Sequence, residues 1–171
     1  HPFKNHPTQW NHALKAFVLI KEQLPDSKMW VIGDGIMLEE LKKMNIKDVT
    51  FYGHIKNELK YDLLRKAHVV LMPSIREGWG LVVTEANAMG TPVVAYNVPG
   101  LQDSIIDGKT GILLKENSPQ NLAQTAISLL VDRNILKKFS SEALAYSKNF
   151  SWDNTATIFN KIIKDVNSHL E

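Results

Sequence analysis

The chain has 171 residues, enough for one domain with a buried core. Its apolar share of 44%, charged share of 22% and formal net charge of +2 are those of a globular protein, and its scattered Lys and Arg exclude the basic surface that nucleic acid requires. With no Cys it has neither a disulfide framework nor a thiolate metal site, and no apolar run approaches the roughly 18 residues of a membrane span.

The chain begins at His1 without Met and ends in Leu170-Glu171, which reads as a vector scar. The expectation is one domain over residues 1–169, cut from a larger protein. A cytoplasmic location follows from the composition, with any contact to the inner face of a membrane left to the part not included.

Thr8 to Leu24 carries Ala13, Leu14, Ala16, Phe17, Leu19 and Ile20 at helical spacing, and Pro25 closes the segment. "KMWVIGDG" reads as a buried strand entering a glycine turn, and "IMLEELKKMN" as a short helix. "DVTFYG" is a second strand, "NELKYDLLRKA" a helix, and "HVVLMPS" a third strand stopped by Pro73. A helix follows "REGWG", then a fourth strand in "TPVVAYN" and a fifth around Ile112 to Leu114. Beyond Ser118-Pro119, an N-cap and N1 pair, three helices complete the chain, with "FSW" breaking the last two. Strands alternating with helices predict an α/β, Rossmann-like, doubly wound parallel sheet with right-handed crossovers and C-terminal helices.

Ligands of such sheets bind beyond the carboxyl ends of the strands. The loops expected there are the one before Lys4, Gly33 to Gly35, Gly53 to Ile55, and Ser74 to Gly80. The last of these sets two acids around a turn, Glu77 before Gly78-Trp79-Gly80 and Glu85 inside the following helix. The glycines let backbone amides approach a ligand, and the first N–H groups of the helix have no intrahelical partner. That arrangement suits a phosphate. Glu85 leans back toward the helix N-terminus, within reach of a ribose beside the phosphate, while Glu77 faces what lies beyond it. An acid near a helix start is also favourable with no ligand, by ~0.3–1 kcal/mol, so spacing alone does not assign the pair.

The whole stretch is more specific. Pro73-Ser74, Glu77 to Gly80, Glu85-Ala86, Gly90 to Ala95 and Asp107 to Gly111 occur in the order of a known pattern. With "VIGDG", "VTFYGHI" and the late "FSW", the chain resembles the nucleotide-binding half of retaining glycosyltransferases of the GT-B fold, group 1 or family 4, from Lys4 to about Val166. The resemblance implies a donor-binding domain for a nucleoside-diphosphate sugar, UDP or GDP first among the nucleotides, with transfer of the sugar to an acceptor hydroxyl and retention of configuration.

Residue by residue, the resemblance implies that Glu77 contacts donor-sugar hydroxyls and is the catalytic residue, orienting the sugar without attacking it. Glu85 binds the ribose, Gly78, Trp79, Gly80 and Leu81 offer the diphosphate their amides, and Lys4 neutralises it. Gly33, His54 and Ile55 lie along the nucleotide, and Leu59 lines the base pocket. Trp79, where the family has Phe, is expected to pack rather than stack on a ligand. There is no Asp-x-Asp and no histidine pair at i, i+4, so neither metal nor cofactor is expected. The family also carries a strand ending in Gly-Arg just before the matching lysine, and an N-terminal acceptor domain. This chain contains neither, and alone it is expected to be inactive. A sugar-nucleotide epimerase or phosphorylase of the same fold, and a nucleotide-binding module without chemistry, remain alternatives.

Overall fold

The computed structural model of the chain describes residues 8–168. In chain order the elements are α1 (Thr8–Gln23), β1 (Met29–Ile32), α2 (Leu38–Lys43), β2 (Val49–Gly53), α3 (Asn57–Lys66), β3 (Val70–Met72) and α4 (Leu81–Ala88). They continue with β4 (Val93–Ala95), α5 (Leu101–Ser104), β5 (Gly111–Leu113), α6 (Pro119–Val131), α7 (Arg133–Ser147) and α8 (Trp152–Ser168). Each of the predicted strands and helices is present. The short helix α5 is additional: four residues are too few to show an apolar period.

The sequence sets the helix starts. Ser118 accepts a hydrogen bond from the Asn121 amide ahead of Pro119, and Asp132 accepts from the amides of Asn134 and Ile135 at the start of α7. Such caps satisfy amides that the helix itself leaves unpaired, each worth ~1 kcal/mol. Lys21 near the end of α1 pairs with Asp48, fixing the approach to β2.

All strand pairs are parallel, as expected. They form two hydrogen-bonded groups rather than one continuous sheet: β1 with β2, and β3–β4–β5 in that order. The buried core divides the same way. The larger cluster surrounds β4, whose Val93, Val94 and Ala95 are fully buried, and the smaller centres on Leu14, Val31 and Leu41. Between the two groups runs a cleft of about 1950 Å³, lined on one side by Met29 to Ile32 and on the other by Val69 to Met72. Ala13, Leu14, Phe17 and Ile20 of α1 also border it, as do Leu63 and Leu64 of α3. The cleft explains why β3, flanked by β4 on one edge only, is half-buried along its length where β4 is completely covered.

Candidate functional site

The carboxyl ends of β1, β2 and β3 carry the loops that the sequence points to. The first two are tied together, because the Gly33 amide donates to the Gly53 carbonyl at 2.8 Å. Both glycines have positive φ, +119° and +64°, which turns the chain sharply off each strand end. His54 follows, exposed and without a side-chain hydrogen bond among the described residues. Ile55 is half-buried and Leu59, in the first turn of α3, is 42% exposed.

After β3 the chain runs through buried Pro73 and half-buried Ser74 to Glu77. Glu77 and Gly78 line the end of the cleft, and the Glu77 carboxylate has no ion pair or hydrogen bond among the described residues. Gly80 is the N-cap of α4, in the left-handed conformation at φ +78°, and no side chain caps the helix. The Val83 amide folds back onto the Gly80 carbonyl at 2.8 Å, while those of Leu81 and Val82 have no acceptor among the described residues, as a phosphate site requires. Leu81, at the first helical position, is 72% exposed. Lys4 lies outside the described residues, so its place relative to this turn does not enter the geometry.

Trp79 lies over the first turn of α4. Its indole N–H donates to Thr84 Oγ1 at 3.0 Å, and its ring meets Phe150 nearly edge-on with centroids 5.8 Å apart. Phe150 packs edge-on against Tyr146 at 5.1 Å. This gives the late "FSW" a physical role: its Phe clamps the glycine turn to the end of α7. The Trp79 side chain thus packs on Phe150 and bonds Thr84, as the sequence leads one to expect.

Glu85 lies one turn into α4 and points toward α3, where its Oε1 accepts a hydrogen bond from Lys60 Nζ at 2.6 Å. The structure thus joins Glu85 to the helix that follows the His54 loop, while Glu77 stands at the cleft. Two participants escaped sequence reasoning. Lys60 is 25 residues from Glu85, a separation without a local signal. Gly100, in the loop after β4, has φ +83°, and a Cβ there would lie 2.5 Å from the Glu77 carbonyl oxygen and 2.8 Å from that of Gly78. Its lack of a side chain lets that loop support the backbone of the glycine turn from behind; the only sequence sign was its place in "VPG".

The family model for "Glycosyl transferases group 1" matches residues 7–145. A D-inositol 3-phosphate glycosyltransferase of Nocardia farcinica is 36% identical over 121 residues, covering 70% of this chain and 27% of its own. Among solved structures, a sucrose-phosphate synthase from Thermosynechococcus elongatus superposes with a TM-score of 0.75 at 26% identity, covering 92% of this chain and 43% of that one. The pneumococcal O-GlcNAc transferase GtfA, in complex with UDP and GlcNAc, superposes with a TM-score of 0.80 at 22% identity, over 94% of this chain and 33% of that one. The chain thus spans less than half the length of each of these proteins. With the parallel α/β fold, the uncapped α4 after its glycine turn and a family match over most of its length, the chain belongs to the group 1 glycosyl transferases and forms the Rossmann-like half of their GT-B fold.

Proposed function

We propose that the chain binds the nucleoside-diphosphate sugar of a retaining, metal-independent glycosyl transfer, with UDP or GDP as the nucleotide. The observation that carries this is the order of groups at the end of β3: Glu77, a glycine turn, an uncapped helix start and Glu85 one turn further on. One extended ligand meets all of them, with its ribose at Glu85, its diphosphate at the amides of Gly78 to Leu81 and its sugar at Glu77. The base lies along His54, Ile55 and Leu59. The UDP and GlcNAc held by the pneumococcal relative support the same class of donor.

The chemistry required is electrostatic. As the bond between the anomeric carbon and the β-phosphate oxygen breaks, negative charge grows on the diphosphate and positive charge on the sugar ring. Fixed amides at a helix start stabilise the leaving diphosphate without reorganising, and Lys4 adds a positive charge. Glu77 orients the sugar through its hydroxyls; retention requires the acceptor oxygen to bond to the anomeric carbon on the face that the diphosphate leaves, its proton passing to the departing phosphate oxygen.

We assign the chain to one half of a two-domain enzyme whose other half supplies the acceptor site and any membrane contact, so the chain alone is inactive. The apolar face of α8 supports this, leaving Ile158, Phe159, Ile162 and Val166 each more than half exposed among the described residues.

Calorimetric titration with UDP, GDP and ADP, repeated on Glu85→Ala, tests the assignment. Loss of charge-assisted hydrogen bonds to ribose weakens binding by about 1.5–3 kcal/mol, roughly ten- to a hundredfold. Equal binding by the variant would refute the role of Glu85.

A further inference from the structure

We propose that Lys60 is a positioning residue for the donor ribose, holding the Glu85 carboxylate in the orientation that accepts the sugar hydroxyls; this rests on the assignment of Glu85 above. Like Lys21–Asp48, the ion pair joins separate elements and is only partly exposed, unlike the pairs within single helices. Lys42–Glu39 and Lys66–Asp62 join neighbours on one helix, and both are well exposed. Lys60 and Glu85 come from consecutive βα units, and their side chains are only 23% and 27% exposed. Each stands one turn into its helix, α3 after the loop at His54 and α4 after the glycine turn. Their bond therefore fixes the spacing between the two loops that a nucleoside would bridge.

The local chemistry makes Lys60 a fixed partner. Its ammonium lies 5.0 Å from the centroid of the Tyr61 ring, a cation–π contact that adds a second restraint to a long side chain. It binds Oε1 of Glu85, while Oε2 has no hydrogen bond among the described residues. A carboxylate has about four acceptor positions, so the Lys60 bond leaves room for both ribose hydroxyls. Without it the Glu85 side chain regains rotamer freedom that ribose binding must remove again. Lys60 itself makes no contact with the ligand in this arrangement, and it acts only through Glu85.

The test compares UDP and GDP with their 2′,3′-dideoxy forms in calorimetric titrations of the wild type, Lys60→Met, Lys60→Arg and Glu85→Gln. In Lys60→Met the affinity for the nucleotide falls by about threefold to tenfold, the scale of a partly exposed ion pair, while affinity for its dideoxy form stays unchanged. Lys60→Arg recovers most of the loss, and Lys60→Met adds no further loss in the Glu85→Gln background. Equal weakening of both forms in Lys60→Met would mean that Lys60 touches phosphate or base, and unchanged binding of both would mean it does nothing; either overturns the proposal. A wild type that binds both forms equally removes the ribose role of Glu85 and this inference with it. A wild type that discriminates, with Lys60→Met discriminating equally well, removes this inference alone. Thermal melts of each variant separate unfolding from lost affinity.

Discussion

Gly78 and Gly80 are two residues apart in one turn, yet the structure gives them different work. Gly80 sits at φ +78°, where a side chain is strained, and a Cβ there would come within 2.9 Å of Leu101 Cδ2. Gly78 has no positive φ and nothing within 4 Å of where its Cβ would be. Gly80→Ala is therefore expected to destabilise the fold by about 1–3 kcal/mol, the cost of a left-handed non-glycine residue. Gly78→Ala should leave the melting temperature unchanged and, on the proposed placement of the diphosphate, weaken nucleotide binding through the added methyl. Melting curves and UDP or GDP titration of the two variants check this, and a destabilised Gly78→Ala would show that the glycine serves the fold. At this scale the sequence displays residue types but not their company. The acids and glycines were legible because they sit in one stretch with a function-bearing order. Lys60 and Gly100 were not, because their meaning comes from contacts made across 25 residues and across a loop that approaches from behind.

At the scale of elements, β1, β2 and β3 were legible as apolar runs stopped at Gly33, Gly53 and Pro73, and the helices because their apolar positions repeat. What a pattern of elements does not state is which strand edges meet. β1 pairs with β2, β3 pairs with β4, and the edges of β1 and β3 that have no strand partner among the described residues border one cleft. A strand leading into α1 would reach the edge of β1 by a right-handed crossover, the hand that parallel connections almost always take. The cleft thus has the place for one more parallel strand, which would pair the edge amides and carbonyls that lack partners among the described residues. The resemblance to glycosyltransferases with a strand just ahead of the matching lysine points to the same slot. Hydrogen exchange tests it: in the 171-residue chain the cleft-facing amides of β1 and β3 exchange quickly. In a version lengthened at its N-terminus by the natural preceding residues they become protected, with a higher melting temperature. A lengthened chain that folds with those amides still unprotected would rule the slot out.

The molecule as a whole is also held by a polar contact between α1 and the larger core. His12 Nδ1 and the Tyr96 hydroxyl lie 2.7 Å apart, joining α1 to the residue that follows β4, and their rings are 5.9 Å apart. Burial pushes the Tyr96 phenol up to about 12 from its ordinary 10.0, so the hydroxyl keeps its proton. Burial, and next the charge of Lys15, hold His12 below its ordinary 6.5, so the imidazole favours its neutral form, and its tautomer sets which of the two groups donates. The two shifts bound a pH window for stability. Above 6.5 His12 is neutral in both folded and unfolded chains. As pH falls below that value the unfolded chain takes up the proton first, and stability is lost down to the folded pKa. On the other side both states keep the Tyr96 proton below 10.0, and between there and about 12 the unfolded chain loses it first, so stability falls as pH rises. The Asp48 carboxyl, held below its ordinary 3.8 first by its hydrogen bond from Lys21, loses its contribution only at lower pH and does not blur the His12 step. Melting temperature should therefore be highest between the two flanks. His12→Gln should flatten the acid flank and Tyr96→Phe the alkaline one. Flanks equally steep in the variants would place the titrating groups elsewhere and reduce the His12–Tyr96 contact to packing alone.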